Sequence, residues 1–172
     1  MMKHRGALSL AVGCLFLCAH VAGAQAAEGT ITEGGVQGFF NLNCPYEPSL
    51  QKLQAKYSDV PSPTGVQGEA GARMLEFLQL GLRLRVNRAG MINEITVLAP
   101  EALVSGRSPI PLVTDKNIKV GDSRIKMAAQ YPGHPKVVGQ IYHYGSMGFE
   151  ISEENRVVAI ILTGESGGRC GN

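Results

Sequence analysis

The sequence has almost no excess of charge of either sign. Its 16 Lys and Arg residues and 14 Asp and Glu residues give a formal net charge of +2. Lys3 and Arg5, near the N-terminus, account for that excess, so the chain that follows them is neutral. Binding to nucleic acid or to an anionic lipid surface requires clustered Lys and Arg. We therefore expect neither kind of partner.

The sequence also lacks a second long apolar run. One such run, ALSLAVGCLFLCAHVAG, follows the cationic start MMKHRG and precedes small residues suited to signal peptidase. This pattern predicts a signal peptide over residues 1–26 and a periplasmic or secreted protein. No later run reaches the roughly 20 apolar residues of a transmembrane helix, so we expect no integral membrane segment after cleavage. A lipoprotein is the alternative, since Cys14 and Cys18 lie in the apolar run, but Leu17 is too large to precede a lipidated Cys18.

Cysteine is scarce outside the predicted signal peptide, where only Cys44 and Cys170 remain. In an exported chain the simplest interpretation is one disulfide between them. Closing a loop of this length contributes on the order of 4 to 5 kcal/mol in the chain-entropy treatment, as an upper figure. Two free or intermolecular thiols are the alternative. A metal site is not expected, because neither cysteine has a neighbouring His or Cys.

The chain lacks a coherent catalytic constellation. Its most suggestive motif is GESGG, which contains Ser166, but a nucleophile elbow needs a following helix and only four residues remain after the motif. His134 and His143 have no metal-ligating or carboxylate partner two or four residues away, and no glycine-rich phosphate loop is present. We therefore predict no catalytic residue, no metal and no cofactor. A small enzyme built around Ser166 is the contrasting alternative.

What the sequence does contain is one hairpin pattern used twice. LRLRVNRAGMINEITVLAP, from Leu82, matches MGFEISEENRVVAIILTGE, from Met147, at a gapless shift of 65 residues. Gly90 falls on Asn155, and Gly and Asn are the residues that best tolerate the positive φ of a tight turn. Apolar residues alternate in both copies, which predicts antiparallel strands with one buried face.

Similar helical segments precede the two hairpins. PSLQKLQAKYSDVP and DSRIKMAAQYPGHP match at a shift of 74, which pairs Ser49 with Ser123 as predicted N-caps and Leu53 with Met127. The first copy then carries a longer polar loop, SPTGVQGEAG.

These patterns predict an α+β fold of two similar units, each a short helix followed by an antiparallel three-stranded meander. The first unit covers residues 28–100, a proline-containing connector covers 101–115, and the second unit covers 116–172. The predicted strands lie in ARMLEFLQ, LRLRVN and MINEITVL of the first unit and in VVGQIYHY, MGFEIS and RVVAIILT of the second. The alternative is a single α+β domain whose elements look alike because they obey common physics.

Four features follow one another in INEITVLAP…DKNIKVGDSRIKMAAQYPGHP…GFEISEENRVVAIIL. They are a strand that ends near a proline, the motif I-x-V-G-D-S, a short helix, and a hairpin with a polar turn. This order resembles the small helix-plus-sheet modules of the SmpA/OmlA (BamE) family of exported bacterial proteins. Its tandem use resembles the β-lactamase inhibitory protein family. The resemblance implies the fold and an expectation of protein binding, and no functional residue is carried over. The sequence departs from the first family in lacking an acceptable lipobox and from the second in having one cysteine pair that joins the two ends.

Surface recognition is the function that remains. Tyr142 and Tyr144 share one face of a predicted strand, and Arg83 and Arg85 share one face of another. Both pairs are candidate protein-binding residues, since Tyr and Arg are favoured at interfaces. Tyr packed beneath the helix and Arg on a solvated sheet face are the structural alternatives. We expect a non-catalytic protein that binds another envelope or secreted protein, with an inhibitor or immunity protein of a hydrolase as the alternative.

Overall fold

The computed structural model describes residues 29–56, 64–67, 71–77, 81–98, 112–164 and 170. The predicted signal peptide, Ser166 and residues 101–111 of the predicted connector lie outside these ranges. In the described part of the chain, two helices accompany a four-stranded and an eight-stranded sheet. The prediction of an α+β fold is therefore confirmed.

The eight-stranded sheet is antiparallel throughout and has the strand order β4-β5-β6-β7-β12-β11-β10-β9. Its strands are β4 (Thr64–Gln67), β5 (Arg73–Phe77), β6 (Leu82–Val86), β7 (Ile92–Leu98), β9 (Lys136–Val138), β10 (Ile141–Tyr144), β11 (Met147–Ile151) and β12 (Val157–Thr163). This order is palindromic, since it follows the chain from β4 to β7 and runs against the chain from β12 to β9. The four strands that follow the first helix meet the four that follow the second where β7 pairs with β12.

The four-stranded sheet is smaller, and three of its strands precede the first helix in the chain while the fourth lies shortly before the second helix. Its strands are β1 (Gly29–Thr32), β2 (Gly35–Val36), β3 (Phe40–Asn41) and β8 (Leu112–Thr114). The first three form an antiparallel meander, and β8 pairs with β1 in parallel. Three residues of the predicted connector therefore form a strand.

The two halves of the eight-stranded sheet have four strands each, where the sequence predicts three. Residues 64–67, in the predicted polar loop, form β4 because they pair with β5 at the sheet edge. VVGQIYHY is two strands and not one, because Gly139 has a φ of 59° and turns the chain between β9 and β10.

Each helix follows a strand of the small sheet: α1, over Tyr46–Lys56, comes after β3, and α2, over Arg124–Gln130, comes after β8. Ser123 is confirmed as the N-cap of α2, because its side chain accepts a hydrogen bond from Lys126 N. The N-cap prediction for Ser49 is wrong. Pro48 is tolerated in a first helical turn, so α1 begins at Tyr46 and the Ser49 hydroxyl instead donates to Pro45 O four residues earlier.

The β6–β7 and β11–β12 hairpins match at the predicted shift of 65. Both have a register shift at the equivalent step, Arg85/Val86 and Glu150/Ile151. Both turns use a residue of positive φ, 79° at Gly90 and 59° at Asn155. The main-chain hydrogen bonds that close the turns also match at this shift: Asn87 N to Met91 O and Gly90 N to Asn87 O, against Ser152 N to Arg156 O and Asn155 N to Ser152 O.

The chain also reaches each helix in the same way, at a shift of 78 and not the 74 of the sequence comparison. Three hydrogen bonds join each lead-in to its hairpin: Asn43 N to Ile92 O, Ile92 N to Cys44 O and Tyr46 N to Gly90 O in the first half, and Gly121 N to Val157 O, Val157 N to Asp122 O and Arg124 N to Asn155 O in the second. The shift of 78 aligns the first residues of the two helices. The buried residues Leu53 and Met127 are 74 positions apart in the chain. When the helices are aligned at the shift of 78, these two residues therefore differ by four positions, or about one helical turn.

One hydrophobic cluster spans the molecule. It contains Leu53 of α1, Met127 of α2, Ile31 and Phe40 of the small sheet, and buried residues from both halves of the large sheet. Its members on the large sheet are Leu75, Phe77, Leu82, Leu84, Val86, Ile92, Ile95, Val97, Met147, Phe149, Ile151, Val157, Ile160 and Leu162. The two halves therefore share one core.

Candidate binding face of the large sheet

The eight-stranded sheet has two faces, and the described helices and small sheet contribute to a core on only one of them. Directly opposed residues of paired strands point to the same face, so the strand registers assign every side chain. We call the second face the open face. It comprises Met74, Glu76, Arg83, Arg85, Glu94, Thr96, Leu98, Lys136, Val138, Ile141, His143, Gly148, Glu150, Ala159, Ile161 and Thr163. None of these residues belongs to the hydrophobic core cluster.

A continuous row crosses the open face from one half to the other. In spatial order from β5 to β9 it consists of Glu76, Arg83, Thr96, Ile161, Gly148, His143 and Lys136. Charged and polar side chains occupy its two ends, and apolar or small residues occupy its β12–β11 centre. A partner lying along this row would meet polar groups around an apolar middle, which is the arrangement of a protein interface.

The first half of the open face is charged. Arg83 Nε donates to Glu76 Oε1 at 2.8 Å, and both side chains are partly exposed. Arg85 is exposed and opposes Glu94 across the β6–β7 pair, without forming an ion pair with any residue that the structure describes. Exposed ion pairs contribute little to stability, so these side chains are free to exchange partners at modest cost.

The centre of the open face is apolar. Leu98 opposes Ala159, and Ile161 lies in the next row between Thr96 and Gly148. Ala159 is 3% exposed and Thr96 is 6% exposed. Strand β12 therefore carries apolar side chains on both of its faces, although only one face joins the core.

Gly148 is closely covered on this face by two side chains. A Cβ added there would lie 3.0 Å from Ile141 Cγ2 and 3.2 Å from His143 Nδ1, so a larger residue would require these side chains to shift. The Ile141 and His143 side chains therefore lie over the Gly148 backbone. This close packing holds the imidazole at a fixed place on the open face.

The two predicted residue pairs lie on opposite faces. Arg83 and Arg85 lie on the open face. Tyr142 and Tyr144 oppose the buried Phe149 and Met147, so they point to the core face. The structure brings each pair together but does not combine the two pairs into one surface.

The tyrosines belong to an aromatic cluster beneath α2. The rings of Tyr144 and Tyr131 lie 5.4 Å apart, and those of Tyr144 and Phe149 lie 6.1 Å apart. Arg124 stacks over the ring of Tyr142 at 4.8 Å. Burial raises the pKa of the Tyr144 hydroxyl, against an opposing effect of Arg124. These contacts give the pair a packing role, and a part in binding stays a prediction.

Tyr131 is the most buried of the three tyrosines in this cluster. It is 6% exposed, its hydroxyl donates to Met147 Sδ at 3.3 Å, and it lies 3.5 Å from Asp115 Oδ1. Lys116 Nζ lies 4.4 Å from the centre of its ring. Burial raises the pKa of the hydroxyl, with a hydrogen bond to Thr114 acting in the opposite direction. The group is placed to hold α2 on the sheet and small sheet, not to meet a ligand.

The histidines do not converge. His134 is exposed, and His143 is half-buried on the open face. Among the described residues, no group of three or more His, Cys, Asp or Glu side chains is arranged to hold a metal ion. The described helices include none with the length and apolarity needed to cross a membrane.

Cys44 and Cys170 are joined by a disulfide, as predicted, across a sequence separation of 126 residues and with Cα atoms 4.6 Å apart. A cleft of about 300 Å³ adjoins the bond. It lies between the β2–β3 turn and the first turns of α1, and both cysteines line it. The bond holds the C-terminal end of the chain against the start of α1.

The sequence prediction missed the apolar centre of the open face, formed by Leu98, Ala159 and Ile161. A signal for it exists, because the stretch VVAIIL of β12 is apolar at every position, and strands contacted on both faces read as continuous apolar runs. Alternation was instead assumed for every strand.

Comparison with protein-family descriptions, with curated proteins and with solved structures found no match to the chain.

Proposed function

We propose that the chain is an exported, non-catalytic protein that binds another protein through the open face of its large sheet. The observation that carries this proposal is the apolar centre of that face. Leu98, Ile141 and Ile161 lie outside the core cluster, and the helices that the structure describes belong to the opposite face. Removing apolar surface from water is favourable, so docking of another protein on this face would be stabilised by burying these side chains.

The dimensions of the open face suit a protein partner. Eight strands at a spacing of about 4.8 Å and a length of about five residues give a face of about 34 Å by 17 Å, on the order of 600 Å² in projection. A stable interface of ordinary size buries about 800 Å² on each partner once side-chain relief is included. Charged Arg83, Arg85 and Glu94 at one side of an apolar centre give such a partner both affinity and orientation.

The large sheet is built from two copies of one helix-plus-sheet unit. This part of the proposal is supported by the palindromic strand order, the gapless shift of 65 between hairpins and the three equivalent hydrogen bonds at each helix lead-in. Tandem use of such a unit agrees with the resemblance noted from the sequence. The repetition has a functional consequence, because two units joined edge to edge make a face about twice as wide as either has alone.

Export to the periplasm or outside the cell is the second component. The predicted signal peptide and the Cys44–Cys170 disulfide both support it, since such bonds persist in oxidising compartments. The partner is then an envelope or secreted protein. A narrower form, inhibition of a hydrolase, is favoured by the same-face pair Arg83 and Arg85, which offers two guanidinium groups to acidic side chains around a cleft.

The test compares two arginine substitutions in the mature protein. Ile161→Arg places a charge at the apolar centre of the open face, and Ala129→Arg places one on the exposed surface of α2. After mild crosslinking in cell envelopes, the wild type and Ala129→Arg should recover the same partner, and Ile161→Arg should lose it at least about tenfold, with unchanged circular dichroism. Equal recovery by both variants would contradict the proposal.

A further inference from the structure

The two cysteines of the disulfide differ in burial. Cys44 is 5% exposed and belongs to the core-facing lead-in of α1, whereas Cys170 is an exposed residue. Thiol–disulfide exchange proceeds by attack of a thiolate on one sulfur, and access decides which sulfur is attacked. The difference in burial therefore directs an incoming thiolate to Cys170 and makes Cys44 the leaving group.

Positive charge lies on the Cys44 side of the bond. Lys52 lines the cleft that both cysteines share. Cys44 also lies two residues before α1 begins at Tyr46, near the positive end of an 11-residue helix. Positive charge attracts the negative charge of a departing thiolate, so both features favour Cys44 as the leaving group.

The cleft supplies the space that the reaction needs. Its volume of about 300 Å³ lies against the bond, between Phe39 on one side and Pro45 and Lys52 on the other. This volume is at the lower end of the range for small-molecule sites. It admits a small thiol such as glutathione or the reactive cysteine of a dithiol protein.

We propose that the Cys44–Cys170 bond is exchange-active and is opened at Cys170 by the thiolate of a small thiol or of a dithiol protein. The incoming sulfur forms a mixed disulfide with Cys170 Sγ, the Cys44–Cys170 bond breaks, and its electron pair leaves on Cys44 Sγ as thiolate. A second thiol of the same reagent then attacks the mixed disulfide, which leaves both cysteines reduced and the reagent oxidised. The reaction releases the C-terminal end from α1 and is independent of binding at the open face.

The test locates the mixed disulfide in the native protein. The mature disulfide-bonded chain is treated briefly with reduced glutathione, free thiols are blocked with N-ethylmaleimide, and peptides are analysed by mass spectrometry. We expect glutathione on Cys170 and the maleimide on Cys44 to exceed the reverse labelling by about tenfold or more. The control is the same reaction in denaturing urea, where the two sulfurs are equally accessible and the ratio should approach one.

Three results would overturn the proposal. Glutathione found mainly on Cys44 would reverse the direction of attack. Equal labelling of the two cysteines in native buffer would remove the selectivity that the burial difference requires. Absence of any mixed disulfide in native buffer, with normal reaction of the denatured chain, would show that the bond is closed to exchange.

Discussion

The lead-ins of α1 and α2 make the same three main-chain hydrogen bonds to their hairpins but are anchored by different side-chain chemistry. Cys44 in the first half and Asp122 in the second occupy equivalent positions, since the carbonyl of Cys44 accepts from Ile92 N at the start of β7 and that of Asp122 accepts from Val157 N at the start of β12. Cys44 is then held covalently by Cys170. Asp122 is held by polar contacts alone.

The polar anchor of α2 consists of two adjacent side chains. Asp122 Oδ2 accepts from Lys119 N at 2.9 Å and from Lys126 Nζ at 2.8 Å, and Ser123 Oγ accepts from Lys126 N at 3.2 Å. In α1, Pro45 occupies the corresponding position ahead of the helix and has no side-chain acceptor to offer. The comparison shows that one backbone arrangement is stabilised in two ways, by a cap worth about 1 kcal/mol and by a crosslink worth several times more.

Removing the covalent anchor should have the largest effect. The double variant Cys44→Ser with Cys170→Ser is expected to lose about 4 to 5 kcal/mol of unfolding free energy, because a 126-residue separation closes a long loop in the unfolded chain. The matched variant in the second half, Asp122→Ala, should lose about 1 kcal/mol. Urea unfolding of both checks the difference. A smaller loss in the cysteine variant than in Asp122→Ala would contradict the assigned anchors.

Truncating equivalent core residues tests whether the halves are energetically joined. Leu84 and Phe149 are related by the shift of 65 and are both fully buried. We expect Leu84→Ala to cost about 3 kcal/mol and Phe149→Ala about 4 kcal/mol, with one cooperative transition in each case because the core is continuous. The check is thermal unfolding followed by near-UV and far-UV circular dichroism. Two separate transitions in either variant would mean that the halves unfold independently.

The Tyr131 hydroxyl, whose position corresponds to Leu53 of α1 at the shift of 78, should make stability sensitive to high pH. The pKa of this hydroxyl is raised by burial, so the folded state favours the protonated form. Its contribution is complete below the unfolded pKa of about 10 and is lost as the pH rises through the higher folded value. Tyr131→Phe should cost about 1 to 2 kcal/mol at neutral pH and should lose stability less steeply than the wild type above pH 10. An unchanged slope in alkaline urea titrations would count against this assignment.

The smallest expected effect on stability distinguishes Ser123 from Ser49, which the sequence comparison pairs as N-caps. Ser123→Ala removes the N-cap of α2 and should cost about 1 kcal/mol, whereas Ser49→Ala lies inside α1 and should change stability by less than about 0.5 kcal/mol. Chemical unfolding at neutral pH measures both. Equal losses of unfolding free energy in the two variants would mean that Ser49 also caps its helix.

The hairpins were predictable because their determinants are local. Gly90 and Asn155 provide the positive φ of equivalent turns, and the alternating apolar residues of β6 and β11 identify the buried face. The disulfide was predictable because only two cysteines follow the predicted signal peptide. These features depend on residue type and spacing, which the sequence displays directly.

Other features depend on tertiary partners and were missed. Strand β4 has no alternation to identify it and exists because β5 offers an edge, and β8 forms because it pairs with the distant β1. The start of α1 was misplaced because Pro48 reads as a boundary but is accepted in a first turn. The apolar centre of the open face was missed because it is created where β7 meets β12, a pairing that neither strand specifies alone.

On the proposed function, the partner docks on the open face and not on the tyrosine side of the sheet. Hydroxyl-radical footprinting of the captured complex, read out by mass spectrometry, compares the two sides in one experiment. The account predicts that oxidation of Leu98, Ile141 and Ile161 falls by about threefold or more on binding and that oxidation of Tyr142 does not change. Protection of Tyr142 without protection of the three aliphatic residues would contradict it.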